Sequence, residues 1–290
     1  MFIISQHQPV SFSWKAKYVI FVRLILLGLL TGCSPIAQGA ETAEPTVFLP
    51  LVQTDAAIWQ PTPGTSWQWQ LSGTIDTSFD VMMYDIDLFD TPQATIDLLH
   101  GDGRIVICYF SAGSYENWRP DAGDFPGAVL GNTLDGWPDE RWLDIRQIGP
   151  LAPIMEARLD LAVAKKCDGV EPDNVDGYSN NSGFPLTGAD QLAYNTWLAD
   201  AAHTRRLSIG LKNDLDQITE LVTTFDWALN EQCYEFDECD LLRPFVDANK
   251  AVFGVEYEGD PATFCPYFNN LDYDWLFKNL DLDADRIACR

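Results

Sequence analysis

This 290-residue chain predicts an α/β fold, a (β/α)8 TIM-type barrel forming one catalytic domain, from three observations. Short apolar runs of the kind that form buried parallel strands alternate with longer segments of helical period. About 225 residues follow Trp67, enough for one large core. Polar and acidic residues gather where the apolar runs end, which is the face on which barrels of this kind build their sites.

The strands, in order, are expected at 66–71 (SWQWQL), 81–87 (VMMYDID), 104–112 (RIVICYFSA), 167–173 (CDGVEPD), 207–213 (LSIGLKN), 226–231 (DWALNE), 251–257 (AVFGVEY) and 273–279 (YDWLFKN). Between them, Thr91-Pro92 opens a helix running to Leu99, with Thr91 or Asp90 as its cap. Met155, Leu159, Leu161 and Val163 mark another, which ends at Lys165-Lys166, where positive charge suits a helix C-terminus. Segments 189–206 and 214–224 supply two more. The stretch 113–140 reads as a long loop, and loops of that length are usually functional. Because several crossovers are short, an open doubly wound sheet is the alternative. The barrel is preferred because the chemistry lies on too many strands for a single crevice.

The first 32 residues read as a targeting segment. Lys15, Lys17 and Arg23 accompany the apolar stretch 18–30, which is too short to span a bilayer comfortably. Leu30-Thr31-Gly32-Cys33 resembles the lipobox of bacterial lipoproteins, in which the cysteine thiol receives the lipid. The alternative is an ordinary signal peptide with an incidental cysteine. Residues 1–32 are thus expected to be removed, 33–65 to form the lipidated Cys33 and a tether rich in Ala, Thr, Pro and Gln, and 66–290 to form the domain. Export to the bacterial cell envelope follows, with the membrane as a partner through Cys33.

Removing Lys15, Lys17 and Arg23 takes the formal net charge from −25 to −28. Nucleic acid is excluded as a partner by that balance, and a monomer is expected. Cationic ligands would be attracted, although the charge could equally serve solubility. Six cysteines remain besides Cys33, an even number that suggests disulfides in an exported protein, with fifteen pairings open. A zinc site is disfavoured, because no C-x-x-C pair is present and His100 and His203 stand alone.

The chemistry is carried by acids at the strand ends. VMMY gives way to Asp85 and Asp87, Gly169-Val170 to Glu171 and Asp173, Ala228-Leu229 to Asn230 and Glu231, and Gly254-Val255 to Glu256. Lys212-Asn213-Asp214 follows another strand in the same way. Two carboxyl groups across a cavity are what glycosidic cleavage needs: one protonates the leaving oxygen, the other attacks the anomeric carbon or activates water. The spacing of Asp168, Asp173 and Asp176 does not fit a calcium loop. There is no phosphate loop, H-E-x-x-H or G-x-S-x-G, so neither metal nor cofactor is expected. Trp67, Trp69, Tyr109, Tyr115, Trp118, Trp137, Trp142, Tyr178 and Tyr257 offer flat rings for sugar faces, though each could as well fill the core.

Taken in order, WQWQL, YDID, CYFSAG, DGVEPDNVDGY, GLKND and NEQCY make the chain resemble glycoside hydrolase family 114, the endo-α-1,4-polygalactosaminidases. The resemblance runs from about Trp67 to about Glu258. It implies a TIM-type barrel acting on α-1,4-linked galactosamine and N-acetylgalactosamine exopolysaccharide, endo-acting and retaining. It also implies that Asp173, after Glu-Pro, is the nucleophile and Glu231, of the N-E-x-C segment, the general acid/base. Asp85, Asp87, Tyr109, Ser111, Asn174 and Asn213 would line the pocket, with Glu256 and Tyr257 closing it. Lys212, between the fourth and sixth strands, would hold Asp173 or a sugar hydroxyl, or else be an exposed surface charge. Glu171 would pair with a neighbouring strand's backbone or with a substrate amine.

Strand order suggests one disulfide set: Cys108 with Cys167 on neighbouring strands, Cys233 with Cys239 around a small loop, and Cys265 with Cys289 stapling the C-terminus. Two rival functions remain: a glycosidase of the same fold on another α-linked galactoside or hexosamine polymer, and a surface lipoprotein that binds polysaccharide without cleaving it. Retaining both Asp173 and Glu231 argues against binding alone.

Overall fold

The computed structural model describes residues 57–290. The expected signal peptide, Cys33 and most of the tether lie outside the described residues. Eight parallel strands form the barrel wall: β1 (Trp67–Gln70), β2 (Met83–Asp87), β3 (Ile105–Ser111), β7 (Gly169–Asp173), β8 (Ser208–Lys212), β9 (Trp227–Glu231), β10 (Val252–Glu256) and β11 (Asp274–Lys278). Every expected strand is present, within two residues at either end. A three-residue strand, β12 (Arg286–Ala288), runs antiparallel to β11. The turn before it bridges the seam to β1: the amides of Leu71 and Ser72 donate to the Leu282 carbonyl, and Gln68 Nε2 donates to the carbonyl of Ala284 at 2.8 Å.

The helices are α1 (Gln93–Gly101), α2 (Ile148–Lys165), α3 (Gly188–Thr204), α4 (Ile218–Leu221), α5 (Arg243–Asp247) and α6 (Pro261–Leu271). The connection from β1 to β2 contains no helix, and 214–224 shrinks to a 3-10 turn followed by the single turn of α4. Pro92 itself occupies the N-cap of α1, with no side-chain cap; Asp87 instead accepts the amide of Asp90 at 2.7 Å. The sequence reading omitted α5 and α6, although Asp260 before Pro261 is a legible start signal: its carboxylate accepts the Ala262 amide.

The expected loop at 113–140 is instead a small antiparallel sheet, ordered β4 (Ser114–Glu116), β6 (Trp137–Leu143), β5 (Leu130–Leu134). Its strands are short, and its β5/β6 register shifts twice, so no clean period-two pattern reaches the sequence. Gly113 lets it leave the barrel, because a Cβ there would sit 1.6 Å from the Asn174 carbonyl oxygen.

The barrel interior holds Trp67, Trp69, Met83, Ile107, Trp227, Leu229, Phe253 and Val255, while a larger apolar layer lies between the sheet and the helices. Gly210 pairs with Trp227 and Gly254 with Trp275, so each indole lies where its neighbour has no side chain. Residues 57–65 are part of the domain, contrary to the expected boundary at 66: Gln60 bonds Asp226 at 2.7 Å, the Pro61 carbonyl accepts the Ala251 amide, and the Gly64 amide reaches Asp274. Three disulfides join Cys108–Cys167, Cys233–Cys239 and Cys265–Cys289, as the sequence predicts.

Candidate active site

Strand alternation decides which side chains enter the barrel. On β7 the inward phase carries Glu171 and Asp173, on β8 Lys212, on β9 Glu231, on β3 Tyr109 and Ser111, and on β2 Asp85 and Asp87. At the C-terminal ends of these strands a cavity of about 1560 Å³ opens. Its wall carries twelve acids against two cations, Arg119 and Lys212.

Lys212 organises the centre. It is buried, not an exposed surface charge, and its Nζ lies 2.8 Å from Glu171 Oε1, 3.3 Å from Asp173 Oδ1 and 3.2 Å from Glu231 Oε2. The ammonium also lies 4.5 Å from the centre of the Trp69 ring. Burial opposes its charge, but the carboxylates of Asp173, Glu171 and Glu231 outweigh that and hold its pKa well above the ordinary lysine value.

Each of the two rim acids has a tyrosine. Tyr109 donates to Asp173 Oδ2 at 3.0 Å, and the hydroxyl of Tyr257 donates to Glu231 Oε1. The Asn174 amide adds a bond to Asp173 Oδ1 at 2.7 Å from a left-handed backbone, φ 61°. Asn213, also left-handed at φ 49°, accepts the Glu231 amide at 3.0 Å. Both carboxyls are thereby held at the cavity wall, and the Lys212 contacts bring their nearest oxygens within about 6.5 Å of each other.

Of the residues singled out from sequence, Asp87, Tyr109, Asp173, Asn174, Lys212, Asn213, Glu231 and Tyr257 line the cavity. Asp87 does so with both oxygens occupied by Arg119, at 3.0 and 2.7 Å, and with the Phe89 and Asp90 amides on Oδ1. Contrary to the expectation that they line or close the pocket, Asp85, Ser111 and Glu256 do not reach the cavity surface, and neither does Glu171, whose partners are the Lys212 and Trp69 side chains. Asp85 and Glu171 belong to a deeper layer, closed off by Lys212 and Trp69. Trp69 Nε1 donates to Glu171 Oε2 at 3.0 Å. Burial pushes Glu171 up to about 7 against the pull of Lys212, and burial with the neighbouring Glu171 charge puts Asp85 well above the usual carboxylate range. Ser111 sits behind Asn174, accepting from its Nδ2 at 2.9 Å. Glu256 falls in the opposite strand phase from Val255 and Tyr257, and accepts the Tyr234 amide outside the barrel.

The small sheet supplies residues that the sequence reading missed. Glu140 lines the cavity and accepts from Ser114 Oγ at 2.7 Å; Ser114 in turn meets Ser111 at 2.6 Å. Glu116 and Arg119, also cavity-lining, form a buried ion pair at 2.8 Å. Burial raises Glu116 to about 7, while Arg119 and Arg158 pull it down. Trp118 and Trp137, 51 % and 53 % exposed, stand on the cavity rim, as does Phe236. Across the cavity, burial raises Asp214 to about 8 and Asp176 to about 6, each reinforced by neighbouring acids. No motif connects Glu116, Arg119 and Glu140, which come to the cavity on the small sheet and the loop after its first strand. Of the other aromatics, Trp67 is a buried core residue and Tyr115 packs edge-on against Phe125, whereas Trp69, Trp142 and Tyr178 contribute to the cavity wall.

The sequence profile of glycoside-hydrolase family GH114 matches residues 49–290. The crystal structure of Aspergillus fumigatus Ega3 in complex with galactosamine is similar at a TM-score of 0.76 and 44 % identity, covering 80 % of this chain and 98 % of that one. The glycoside hydrolase domain of PelA from Pseudomonas aeruginosa shares the fold, at a TM-score of 0.56 and 11 % identity over 77 % of this chain and 97 % of that one. No curated protein matches the chain. With the barrel, the paired acids at its C-terminal rim and a family match over most of its length, the chain belongs to glycoside hydrolase family GH114 and is a glycoside hydrolase.

Proposed function

We propose that this enzyme cleaves α-1,4-linked galactosamine and N-acetylgalactosamine polysaccharide within the chain and with retention of anomeric configuration. The observation that carries the reading is the placement of Asp173 and Glu231 around one ammonium, their nearest oxygens within about 6.5 Å. Retaining enzymes hold their carboxyls about 5 to 5.5 Å apart, whereas inverting enzymes leave about 6.5 to 9.5 Å for water. Asp173 attacks the anomeric carbon as the glycosidic C–O bond breaks, and Glu231 gives its proton to the departing oxygen. Glu231 then takes a proton from water as that water attacks the same carbon and releases Asp173. Lys212 offsets the negative charge of Asp173 before the first step and that of Glu231 after it.

Galactosamine as the sugar is supported by the 44 % identical Ega3, whose structure contains it. The acidic wall suits a polymer carrying free amines. Internal cleavage is supported by a cavity larger than the 300 to 1,000 Å³ or so typical of small-ligand pockets, with exposed tryptophans on its rim. The three disulfides fit an exported protein, and lipid attachment at Cys33 completes the reading. Incubation of the mature domain with defined α-1,4-galactosaminoglycans, with NMR of the first-formed anomer and mass spectrometry of the products, tests it. Oligomers of mixed length with the α anomer formed first are expected. First-formed β anomer, or no cleavage of any galactosamine polymer, overturns it.

A further inference from the structure

Beneath the two rim acids, Asp85 presents an unsolved problem of charge. It has no solvent exposure, and neither of its oxygens receives a hydrogen bond from any donor among the described residues. On the same strand level, β1 offers Trp69, whose N–H goes to Glu171, and β3 offers Ile107. The charged groups facing Asp85 are Glu171 and Asp173 of β7 and Lys212 of β8. Ionised, Asp85 would add a third negative charge to those of Glu171 and Asp173 around one ammonium, in a place where an unpaired charge is costly. Of the groups facing it, the Glu171 carboxyl is within hydrogen-bonding reach, so a proton held between the two acids would satisfy the otherwise unpartnered Asp85. Glu171 already uses Oε1 to accept from Lys212 and Oε2 to accept from Trp69, which makes it the acceptor.

We propose that Asp85 is a permanently neutral acid whose O–H donates to Glu171, and that the Asp85–Glu171 pair is a positioning device that fixes Lys212 between Asp173 and Glu231. The inference rests on the reading of Asp173 and Glu231 as the reacting pair. The Lys212 ammonium lies against three carboxyls and donates a hydrogen bond to Glu171, the one that faces away from the cavity. As the first step proceeds, negative charge leaves Asp173 and develops on Glu231. An ammonium anchored from below and placed almost equally from both, 3.3 and 3.2 Å, serves each state without moving. The neutral Asp85 holds the anchor at a single negative charge.

Infrared difference spectroscopy of the substrate-free enzyme reads the proton directly. The spectrum of wild type minus Asp85→Asn is expected to contain the carbonyl band of a protonated carboxyl group, present across the pH range of activity. Should Asp85→Asn fail to fold, Glu171→Gln must shift the same band by weakening its acceptor. Kinetics read the positioning: Asp85→Ala should lower kcat by about 100-fold with KM little changed, the scale of a misplaced reacting group. Asp85→Asn should recover at least about tenfold of that loss, because the amide donates where the neutral acid did. Absence of the band, an Asn variant no better than Ala, or a loss confined to KM overturns the proposal. A wild-type enzyme inert on galactosamine polymers overturns the functional reading instead, and the infrared arm still decides whether Asp85 holds a proton.

Discussion

Strands β7 and β9 each carry an acid at both ends, and the two ends do opposite things. At the floor, Asp168 precedes β7 and accepts the Val106 amide at 2.8 Å while meeting His100 Nε2 at 2.9 Å. Asp226 precedes β9 and repeats the arrangement with the Ile209 amide at 3.0 Å and His203 at 2.9 Å. Each floor acid ties the preceding strand's backbone to a histidine on a helix outside the barrel. At the rim, five residues later on each strand, Asp173 and Glu231 meet Lys212, a tyrosine and open cavity. The same residue type on the same strand therefore supports the fold where its partners are backbone and helix, and is placed for the proposed chemistry where they are a shared ammonium and open cavity.

The comparison breaks most visibly at the rim. Asp173→Asn and Glu231→Gln should each lower kcat by at least about a thousandfold with melting temperature little changed, measured on the same polymer by reducing-end release. Either variant keeping near-normal activity removes the assignment.

The disulfides separate the two ends by stability. Opening Cys108–Cys167, which spans 59 residues and ends beside Asp168, should cost about 4 kcal/mol, against about 3 for Cys265–Cys289 and about 2 for Cys233–Cys239. Only the last, two residues beyond Glu231 and next to the cavity-lining Gln232, Phe236 and Glu238, should also lower kcat. Urea unfolding beside initial rates distinguishes the three.

Asp226→Ala should remove about 1 to 3 kcal/mol of stability, because it leaves the buried Ile209 amide unpaired, while kcat holds. The His203 side of this pair has a defined pH window. Its hydrogen bond to Asp226 raises its pKa above the ordinary 6.5, so the protonated ring stabilises the fold fully below about pH 6.5 and loses that contribution as pH rises through the elevated value. His203→Gln should therefore lower the melting temperature at pH 5.5 and converge on wild type at high pH. A gap that widens with pH would refute the pairing.

The smallest effect concerns the acid-rich cavity wall. Cleavage of a deacetylated, cationic polymer should slow as salt rises, between a Debye length of about 30 Å at 0.01 M and about 8 Å at 0.15 M. A fully acetylated polymer of matched length should respond less. Equal responses would make the negative charge a matter of solubility.

Much of this was legible in the chain because strands of a barrel announce themselves locally. Apolar runs bounded by turn residues located all eight parallel strands, and the acids at their ends drew out Asp85, Asp87, Glu171, Asp173 and Glu231. Period two was there to be used as well: applied to Phe253, Val255 and Tyr257, it sends Glu256 outward. The small sheet escaped because Trp137-Pro138-Asp139-Glu140-Arg141 is mostly exposed, so no buried stripe marks it as a strand. Glu116, Arg119 and Glu140 escaped with it.

By itself the sequence determined which side chains face the barrel axis, since alternation is a property of each strand alone. Depth along that axis was decided only by the tertiary structure. Glu171 and Asp173 share a strand and a face, yet one is sealed beneath Lys212 and Trp69 and the other opens on the cavity. The stagger between neighbouring strands sets which level each residue reaches, and that stagger is a relation among eight strands and the layers packed on them. Environment followed from depth: acids of one kind were sealed beneath Lys212 and Trp69 or opened on the cavity, with different amounts of water and different partners left to each by the assembled barrel.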